Sequence, residues 1–236
     1  MAEGWGVDLH AHSRHSDGVW TPRELVDEAG RRGVRVLALT DHDAVGGQAE
    51  VVGAAARAGL LAITGVEITT CLGDRVYHLL CYDLDPSDPV WTEIERRRWT
   101  TRQPLPVEEL ARLLPDGAGL LSVAHPGREE RGVSHRLSEP DLAALEALLP
   151  LVALEAQHPY HAPLDIEYYR RLAADHGLAV TCGSDAHGWR GRRMPIAHPT
   201  ELARGFLELV LARWAALPPL PRPEPASRRT GEPAMG

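Results

Sequence analysis

The sequence predicts an α/β fold, a distorted TIM-like (β/α)7 barrel that closes with fewer than eight strands. Short and mostly continuous apolar runs alternate with helical patterns, as expected for parallel strands that are covered on both faces. The length of 236 residues suits one sizeable core. The seven predicted strands are Val7–Ala11, Val36–Thr40, Leu61–Thr69, Val76–Asp83, Leu120–His125, Leu151–Ala156 and Leu178–Gly183.

Capping residues mark several helix boundaries between these strands. The stretch Thr21-Pro22-Arg23-Glu24 offers an N-cap, a proline at the first helical position and a glutamate that reaches back to the cap. Ser138-Glu139-Pro140-Asp141 opens a later helix, and Gly33 and Gly177 stand where C-terminal caps belong. These capping residues therefore support the predicted alternation of strands and helices.

Two segments depart from this alternation. Residues 1–216 are expected to form a single barrel, within which residues 86–106 form a short helix and an irregular crossover. Trp91 and Trp99 in this segment could stack on a base, but their roughly helical spacing favours packing of a helix. Residues 217–236 are rich in proline and lack periodicity, which predicts a disordered tail.

The composition excludes several classes of function. With 25 basic and 33 acidic residues the net charge is −8, which argues against a general nucleic-acid-binding surface. All basic residues are arginine, which excludes Schiff-base lysine chemistry and a Walker-type phosphate loop. Their scattered positions and odd number indicate that Cys71, Cys81 and Cys182 are small buried residues of a protein in a reducing compartment and do not form a disulfide framework. No apolar run approaches the roughly 20 residues of a membrane span, and we expect a cytoplasmic protein without a signal peptide.

The first predicted strand ends in a pair of histidines. Residues i and i+2 of a strand point to the same face, so His10 and His12 project side by side and form half of a metal site. Further potential ligands stand at or near the ends of other predicted strands, where the functional groups of an α/β barrel converge. These are Asp17, His42, Glu67, His78, His125, Asp185 and His187.

The residues around these ligands form five motifs in a fixed order. They are Asp8-Leu9-His10-Ala11-His12-Ser13 with Ser16-Asp17-Gly18, Leu39-Thr40-Asp41-His42-Asp43, Gly65-Val66-Glu67-Ile68, Ala124-His125-Pro126-Gly127-Arg128 and Gly183-Ser184-Asp185-Ala186-His187-Gly188. From about Val7 to Gly188 the chain resembles the PHP (polymerase and histidinol phosphatase) superfamily of metal-dependent phosphoesterases. It is most similar to the branch that acts on nucleoside 3′,5′-bisphosphates and RNA 5′ ends.

The resemblance implies a site for two to three divalent metal ions. The first would bind His10, His12, Glu67 and Asp185; Glu67 would bridge to a second, completed by His78 and His125; the third would bind Asp17, His42 and His187. Mixed imidazole and carboxylate ligands suit Mn, Zn or Fe better than Mg. Such ions lower the pKa of a shared water from about 15.7 towards about 7, which supplies hydroxide for attack on phosphorus.

Other candidates concern the substrate. The family motif suggests that Arg128 clamps a phosphate, and His161 is expected to contact the substrate phosphate or to donate a proton. For His158, a place in the wall of the site and a packing role are about equally expected. For His15, an exposed position and a role as a ligand are equally expected. The charge run Arg190, Arg192 and Arg193 is predicted to be solvated, and the alternative is that it forms a basic lip over the site. The histidines His135, His176 and His198 are predicted to be structural or surface residues.

The leading hypothesis is hydrolysis of a phosphate ester of a small molecule, such as a nucleotide, a sugar phosphate or an oligonucleotide end, without a stable nucleic-acid partner. Only 46 residues separate His78 from His125, whereas the similar branch carries a helical insertion there, so the substrate is left open. The alternatives are an amidohydrolase-like hydrolase of an amide or lactone, and a catalytically idle PHP module that binds a partner.

Overall fold

The computed structural model describes residues 4–127, 136–188 and 193–216. Its strands are β1 Gly6–Asp8, β2 Val34–Leu39, β3 Leu61–Leu72, β4 Arg75–Tyr82, β5 Leu105–Pro106, β6 Leu120–Val123, β7 Leu151–Gln157, β8 Ala179–Cys182 and β9 His198–Pro199. Its α-helices are α1 Pro22–Arg31, α2 Gln48–Ala58, α3 Pro89–Thr101, α4 Val107–Leu113, α5 Glu139–Glu146, α6 Pro163–Asp175 and α7 Arg204–Ala216.

The strands form one sheet that curls into a nearly closed barrel. The order across the sheet is β8-β7-β6-β4-β3-β2-β1-β9, and β5 pairs with β3. The two ends of the sheet meet where the chain continues beyond β1 and β8, because Leu9 donates to the Cys182 carbonyl (3.0 Å) and Ala11 forms a parallel bridge with Ala186. The prediction of a distorted TIM-like barrel is confirmed.

The direction of β4 corrects the expectation of parallel strands throughout. This strand is antiparallel to both neighbours, β3 and β6. The connection from β3 to β4 consists of Gly73 and Asp74, which is too short for a crossover helix and forms a hairpin turn with Gly73 at φ 61°. The very short strands β5 and β9 were not predicted.

The predicted helix boundaries are confirmed where capping residues marked them. Thr21 accepts a hydrogen bond from the Glu24 backbone while the Glu24 side chain returns to the cap, which completes the capping box of α1. Ser138 caps α5, and Gly33 and Gly177 adopt the left-handed backbone that ends α1 and α6.

The segment 86–106 is more regular than predicted. The 13-residue helix α3 fills most of it, with Asp88 as the N-cap and Pro89 at the first position. Trp91 is buried and donates to the Asp85 carbonyl (2.9 Å), as its packing role requires. Trp99 is 66% exposed, so the expectation that it packs the helix is wrong.

The core lies on both sides of the sheet. Leu9, Val36, Ile63 and other strand residues fill the barrel interior, where α7 also packs. A second set of apolar side chains lies between the sheet and its covering helices. This packing holds the strand ends rigidly enough to position polar groups. Within the described ranges no helix is long and apolar enough to cross a membrane.

Candidate metal centre

The predicted ligands come together where the chain leaves the strands. His10 and His12 follow β1, His42 follows β2, Glu67 lies within β3 and His78 within β4, while His125 follows β6 and Asp185 and His187 follow β8. His10, His12 and Glu67 are fully buried, and Asp17 at the edge remains 51% exposed. All nine residues predicted as ligands are thus part of one cluster.

Glu67 stands at the middle of the cluster, and its two oxygens face different histidines. Oε2 lies 2.9 Å from His10 Nε2, 3.1 Å from His12 Nε2 and 3.3 Å from His42 Nδ1. Oε1 lies 2.6 Å from His78 Nδ1 and 2.9 Å from His125 Nε2. A carboxylate with its oxygens turned to separate ligand sets has the geometry needed to bridge two ions.

Two further carboxylates extend the cluster on the side of His12. Asp185 Oδ1 lies 3.0 Å from His12 Nε2 and 3.7 Å from His10 Nε2. Asp17 Oδ1 lies 3.1 Å from His187 Nε2 and 4.0 Å from His42 Nε2. Three groups of ligand atoms each lie close enough to hold an ion: His10, His12, Glu67 and Asp185; His12, Asp17, His42 and His187; and His42, Glu67 and His78.

The backbone at this rim is strained at several positions. Asp43, His125 and Asp185 have positive φ values of 51°, 21° and 52°. Such conformations cost on the order of 1–3 kcal/mol each for residues other than glycine and persist only where the surroundings enforce them. Here the Asp43 N–H donates to the Glu67 carbonyl (2.8 Å), and the His125 N–H donates to a buried carboxylate, that of Glu155 (2.7 Å).

Glu155 is the residue of the site that sequence reasoning did not assign. Its carboxylate is fully buried and lies 3.2 Å from His10 Nδ1 in addition to its contact with His125. The His10 Nδ1–H therefore donates to Glu155 and orients Nε2 towards Glu67, where a bound metal ion would replace the Nε2 proton. The signal in the sequence was a lone acidic residue in the apolar run Leu151–Ala156.

Two other carboxylates of the motifs hold loops instead of facing the cluster. Asp8 accepts from the Ser184 N–H (2.9 Å) and hydroxyl (2.6 Å), so it ties the loop of Asp185 to β1. Asp41 accepts from the Ser13 N–H (2.7 Å) and hydroxyl (2.7 Å). They fix the loops from which the ligands project.

The electrostatics of the cluster favour bound cations. Burial lowers the pKa of both His125 and His187 to about 4, so both carry lone pairs at neutral pH. Burial acts to raise the pKa of Glu67, but the charges of His10, His42 and His78 outweigh it and lower that pKa well below its usual range. Buried ring nitrogens of His12, His42 and His125 have no hydrogen-bond partner within the described ranges. Imidazole nitrogens that take part in no hydrogen bond, together with a central carboxylate, form the kind of ligand set that divalent metal ions require.

A second group of side chains borders the cluster near Asp185. His158 is buried, with Nε2 3.9 Å from Asp185 Oδ2 and its ring centroid 5.4 Å from that of His125. His161 lies one ring further out, 5.4 Å from His158, with Nδ1 3.0 Å from the Ala156 carbonyl. The Arg193 guanidinium lies 3.9 Å from Asp185 Oδ2 with its side chain 21% exposed, so the solvated interpretation of this arginine is wrong.

The remaining candidates lie elsewhere. Arg128, His135, Arg190, Arg192 and the tail 217–236 are outside the described residues. His15 is exposed, which favours the non-ligand interpretation. His176 forms a partly buried pair with Glu146 (2.7 Å), and His198 belongs to β9, as expected for structural or surface residues.

A cavity of about 810 Å³ adjoins the cluster on the side of His42 and His78. It is also lined by residues of α3 and by the segment Arg102–Pro106 that follows it. Most of the segment 86–106, which was predicted to be a short helix and an irregular crossover, therefore lies beside the site.

A TIM-like barrel with histidines and carboxylates gathered at one rim defines a metal-binding protein. The model of the PHP domain family matches residues 8–187, and the chain belongs to that family. The resemblance inferred from the five motifs is thereby confirmed.

Similar proteins include two curated relatives. A 3′,5′-nucleoside bisphosphate phosphatase from Chromobacterium violaceum is 47% identical over 83 residues, which are 35% of this chain and 29% of the relative. A 5′-3′ exoribonuclease from Haemophilus influenzae is 43% identical over 101 residues, 43% of this chain and 37% of the relative. The chain thus spans 29% and 37% of the length of these relatives.

Solved structures share the fold over most of the chain. An amidohydrolase from Chromobacterium violaceum with bound sulfate and no metal has a TM-score of 0.73 and 25% identity, with 88% of this chain and 96% of that chain covered. A protein from Bifidobacterium adolescentis has a TM-score of 0.71 and 24% identity, with 86% and 96% covered.

Proposed function

We propose that this chain is a metal-dependent phosphoesterase that hydrolyses a phosphate ester of a small molecule, such as a nucleotide or a sugar phosphate. The observation that carries the proposal is the central position of Glu67. Its two oxygens face separate sets of imidazoles, so ligands for neighbouring metal ions meet at one carboxylate. Clusters of adjacent divalent ions suit phosphoryl transfer, because they offset the charge on the phosphoryl oxygens.

We assign the ligands to three sites. His10, His12, Glu67 and Asp185 would hold the first ion, Glu67, His78 and His125 the second, and Asp17, His42 and His187 the third. The distances among the ligand atoms support the first and third sets. For the second set the support is the contact of Glu67 Oε1 with His78 (2.6 Å) and His125 (2.9 Å), although Glu67 and His78 also group with His42, which faces Glu67 Oε2 at 3.3 Å. Two to three ions of Mn, Zn or Fe fit this mixed donor set.

Metal ions held by these residues would supply the activation of water and the stabilisation of the leaving oxygen. The protein contributes orientation: Glu155 fixes the tautomer of His10, and Asp8 and Asp41 fix the ligand loops. Arg193 lies beside Asp185, from where its guanidinium could contact a phosphoryl oxygen. In this proposal Arg128 binds the same phosphoryl group.

His161 could contact the substrate or donate a proton. Its Nδ1–H donates to the Ala156 carbonyl, which directs Nε2 away from the backbone. Nε2 is buried and has no partner within the described ranges. In the imidazolium form Nε2 would carry the proton needed by a departing oxygen.

The relatives and the net charge favour a phosphorylated small molecule as the partner. The two curated relatives are named for nucleoside bisphosphates and for RNA, and the amidohydrolase structure holds sulfate, an anion similar to phosphate in shape. A net charge of −8 disfavours a stable nucleic-acid complex, although an oligonucleotide end could still enter the site. The three free cysteines fit a cytoplasmic location.

The test is a screen of nucleotides, sugar phosphates, short 5′-phosphorylated RNAs and p-nitrophenyl phosphate with Mn or Zn, beside a panel of amides and lactones. We expect turnover of phosphate esters that His12→Ala abolishes and that the control variant His176→Ala, outside the predicted ligand set, retains. Wild-type activity of His12→Ala would show that the metal assignment is wrong. Turnover of amides or lactones alone would overturn the proposal in favour of an amidohydrolase, and metal binding without any turnover would indicate an idle binding module.

A further inference from the structure

We propose that Arg98 of helix α3 is a positioning residue of the metal centre. Its guanidinium fixes the backbone that carries His42, and so sets the affinity for the ion assigned to Asp17, His42 and His187. The inference rests on the ligand assignment of the proposed function. Helix α3 contains none of the nine predicted ligands, so this role makes an element outside the ligand set part of the metal centre.

Arg98 contacts the peptide group that joins His42 to Asp43. Its Nη1 donates to the His42 carbonyl, and its Nε lies 4.0 Å from Asp43 Oδ2. The N–H of the same peptide group belongs to Asp43 and donates to the Glu67 carbonyl (2.8 Å). Helix α3 and strand β3 therefore hold the two polar ends of one peptide group, which cannot rotate without the loss of both hydrogen bonds.

This peptide group needs support because the residue after it is strained. Asp43 has a φ of 51°, in the left-handed region that residues other than glycine rarely adopt. Rotation of the peptide group would change this φ and relieve the strain, and it would release the Asp43 N–H from β3. The Thr69 N–H donates to Asp43 Oδ1 (2.9 Å), which holds the side chain and not the peptide group. Arg98 is thus the contact that opposes rotation from the side of α3.

His42 lies where a small displacement has a defined effect on metal binding. Its Nδ1 lies 3.3 Å from Glu67 Oε2, and its Nε2 lies 4.0 Å from Asp17 Oδ1. The buried group with two carboxylates, which we expect to bind its ion most tightly, does not include His42; it consists of His10, His12, Glu67 and Asp185. A shift of His42 should therefore weaken the binding of another ion and leave the ion of this group in place.

The charge of Arg98 by itself predicts the opposite change. A guanidinium beside the centre repels bound cations, so removal of its charge alone should strengthen metal binding. Loss of a group that orients a metal ligand should instead weaken metal binding, typically about 10–100-fold. The sign of the change in affinity therefore separates positioning from electrostatic repulsion.

The experiment measures the affinity and number of bound ions by chelator competition and calorimetry with Mn or Zn, without substrate. Arg98→Met removes the donor and the charge, whereas Arg98→Lys keeps a charged donor. Arg96→Met is the matched control, because Arg96 is an exposed α3 side chain that pairs with Glu93 within the helix. We expect Arg98→Met to weaken one ion about tenfold or more and the tightest ion less than twofold. Arg98→Lys should restore most of the loss, and Arg96→Met should match wild type.

Urea unfolding of the metal-free variants separates positioning from a structural role, which would lower the free energy of unfolding and leave the metal affinity of the folded protein unchanged. Arg98→Gln, with a neutral donor on a shorter stem, guards against misfolding of Arg98→Met and should show the same selective loss. Equal metal affinity of the Arg98 variants and Arg96→Met, tighter binding by Arg98→Met, or an equal loss of all ions overturns the inference while the proposed function stands. A wild-type protein that binds no divalent ion overturns both.

Discussion

Replacement of Glu155 by glutamine tests whether a buried carboxylate outside the ligand set controls metal binding. Glu155 and its partner His10 are both fully buried, and the carboxylate accepts from the His10 Nδ1–H (3.2 Å) and the His125 N–H (2.7 Å). Both donors need an oxygen. The Glu155→Gln variant has the same shape but offers an oxygen at only one of the two positions.

The expected magnitude follows from this geometry. If the amide oxygen takes the Oε2 position, it lies 2.7 Å from the His125 N–H and must serve that donor as well as His10 Nδ1 at 3.2 Å, while the amide NH₂ takes the position of Oε1, also 3.2 Å from His10 Nδ1, and competes with this contact. An N–H donor there favours the tautomer with the proton on Nε2, the atom that faces Glu67, and this proton blocks metal ligation. Loss of such a partner weakens metal binding about 10–100-fold, which corresponds to about 1.4–2.7 kcal/mol.

Metal affinity is measured by chelator competition or calorimetry with Zn or Mn in the absence of substrate. Glu146→Gln is the matched control, because Glu146 makes a similar contact with His176 Nδ1 (2.7 Å) in a partly buried pair outside the predicted ligand set. This control should keep wild-type affinity. A Glu155→Gln protein that is folded and binds metal within about twofold of wild type would refute the tautomer argument.

Two further predictions concern close packing and pH. A β-carbon at Gly183 would lie 2.2 Å from His10 Cβ and 2.6 Å from Glu155 Oε1, so Gly183→Ala should weaken metal binding about tenfold or more, by the same titration. The control is Gly53→Ala in helix α2, where the new β-carbon would lie 3.4 Å from Arg57 Nη1. This variant should keep its metal affinity and raise the free energy of unfolding by about 0.5–1 kcal/mol. Equal metal affinity of the two variants would contradict the packing argument. For the metal-free protein, burial lowers the pKa of His125 and His187 from 6.5 to about 4, so the unfolded chain binds protons in this window that the folded chain does not. The free energy of unfolding should fall as the pH drops from 6.5 to 4, by about 1.4 kcal/mol per pH unit for each histidine. In urea unfolding, His187→Gln should show a smaller dependence of this free energy on pH than wild type. An equal dependence in the two proteins would exclude His187 as a source.

The sequence predicted those parts of the fold that local patterns determine. Seven apolar runs and the capping residues of α1 and α5 placed most elements correctly, because burial and caps act within a few residues. The direction of β4 is a property of its pairing, and an apolar run alone does not encode it. Gly73-Asp74 between two such runs was the available signal for a hairpin.

The same distinction applies to the site. The ligands could be predicted because they are histidines and carboxylates that stand at or near the ends of predicted strands. Glu155 acts on His10 across 145 positions of the chain, and nothing near Glu155 in the sequence shows that contact. The pairing of Arg193 with Asp185 and the exposure of Trp99 likewise depend on how distant loops and α3 are placed.

The sheet order explains why one carboxylate can serve two sets of ligands. Glu67 lies on β3, with β2 and β1 on one side and β4 and β6 on the other. Its Oε2 faces the histidines that follow β1 and β2, and its Oε1 faces those of β4 and β6. The hairpin brings His78 opposite Thr69, one pleat from Glu67 on the same face, which a crossover helix could not do. The antiparallel strand that departs from an ordinary parallel barrel is thus the element that lets Glu67 join the two halves of the centre.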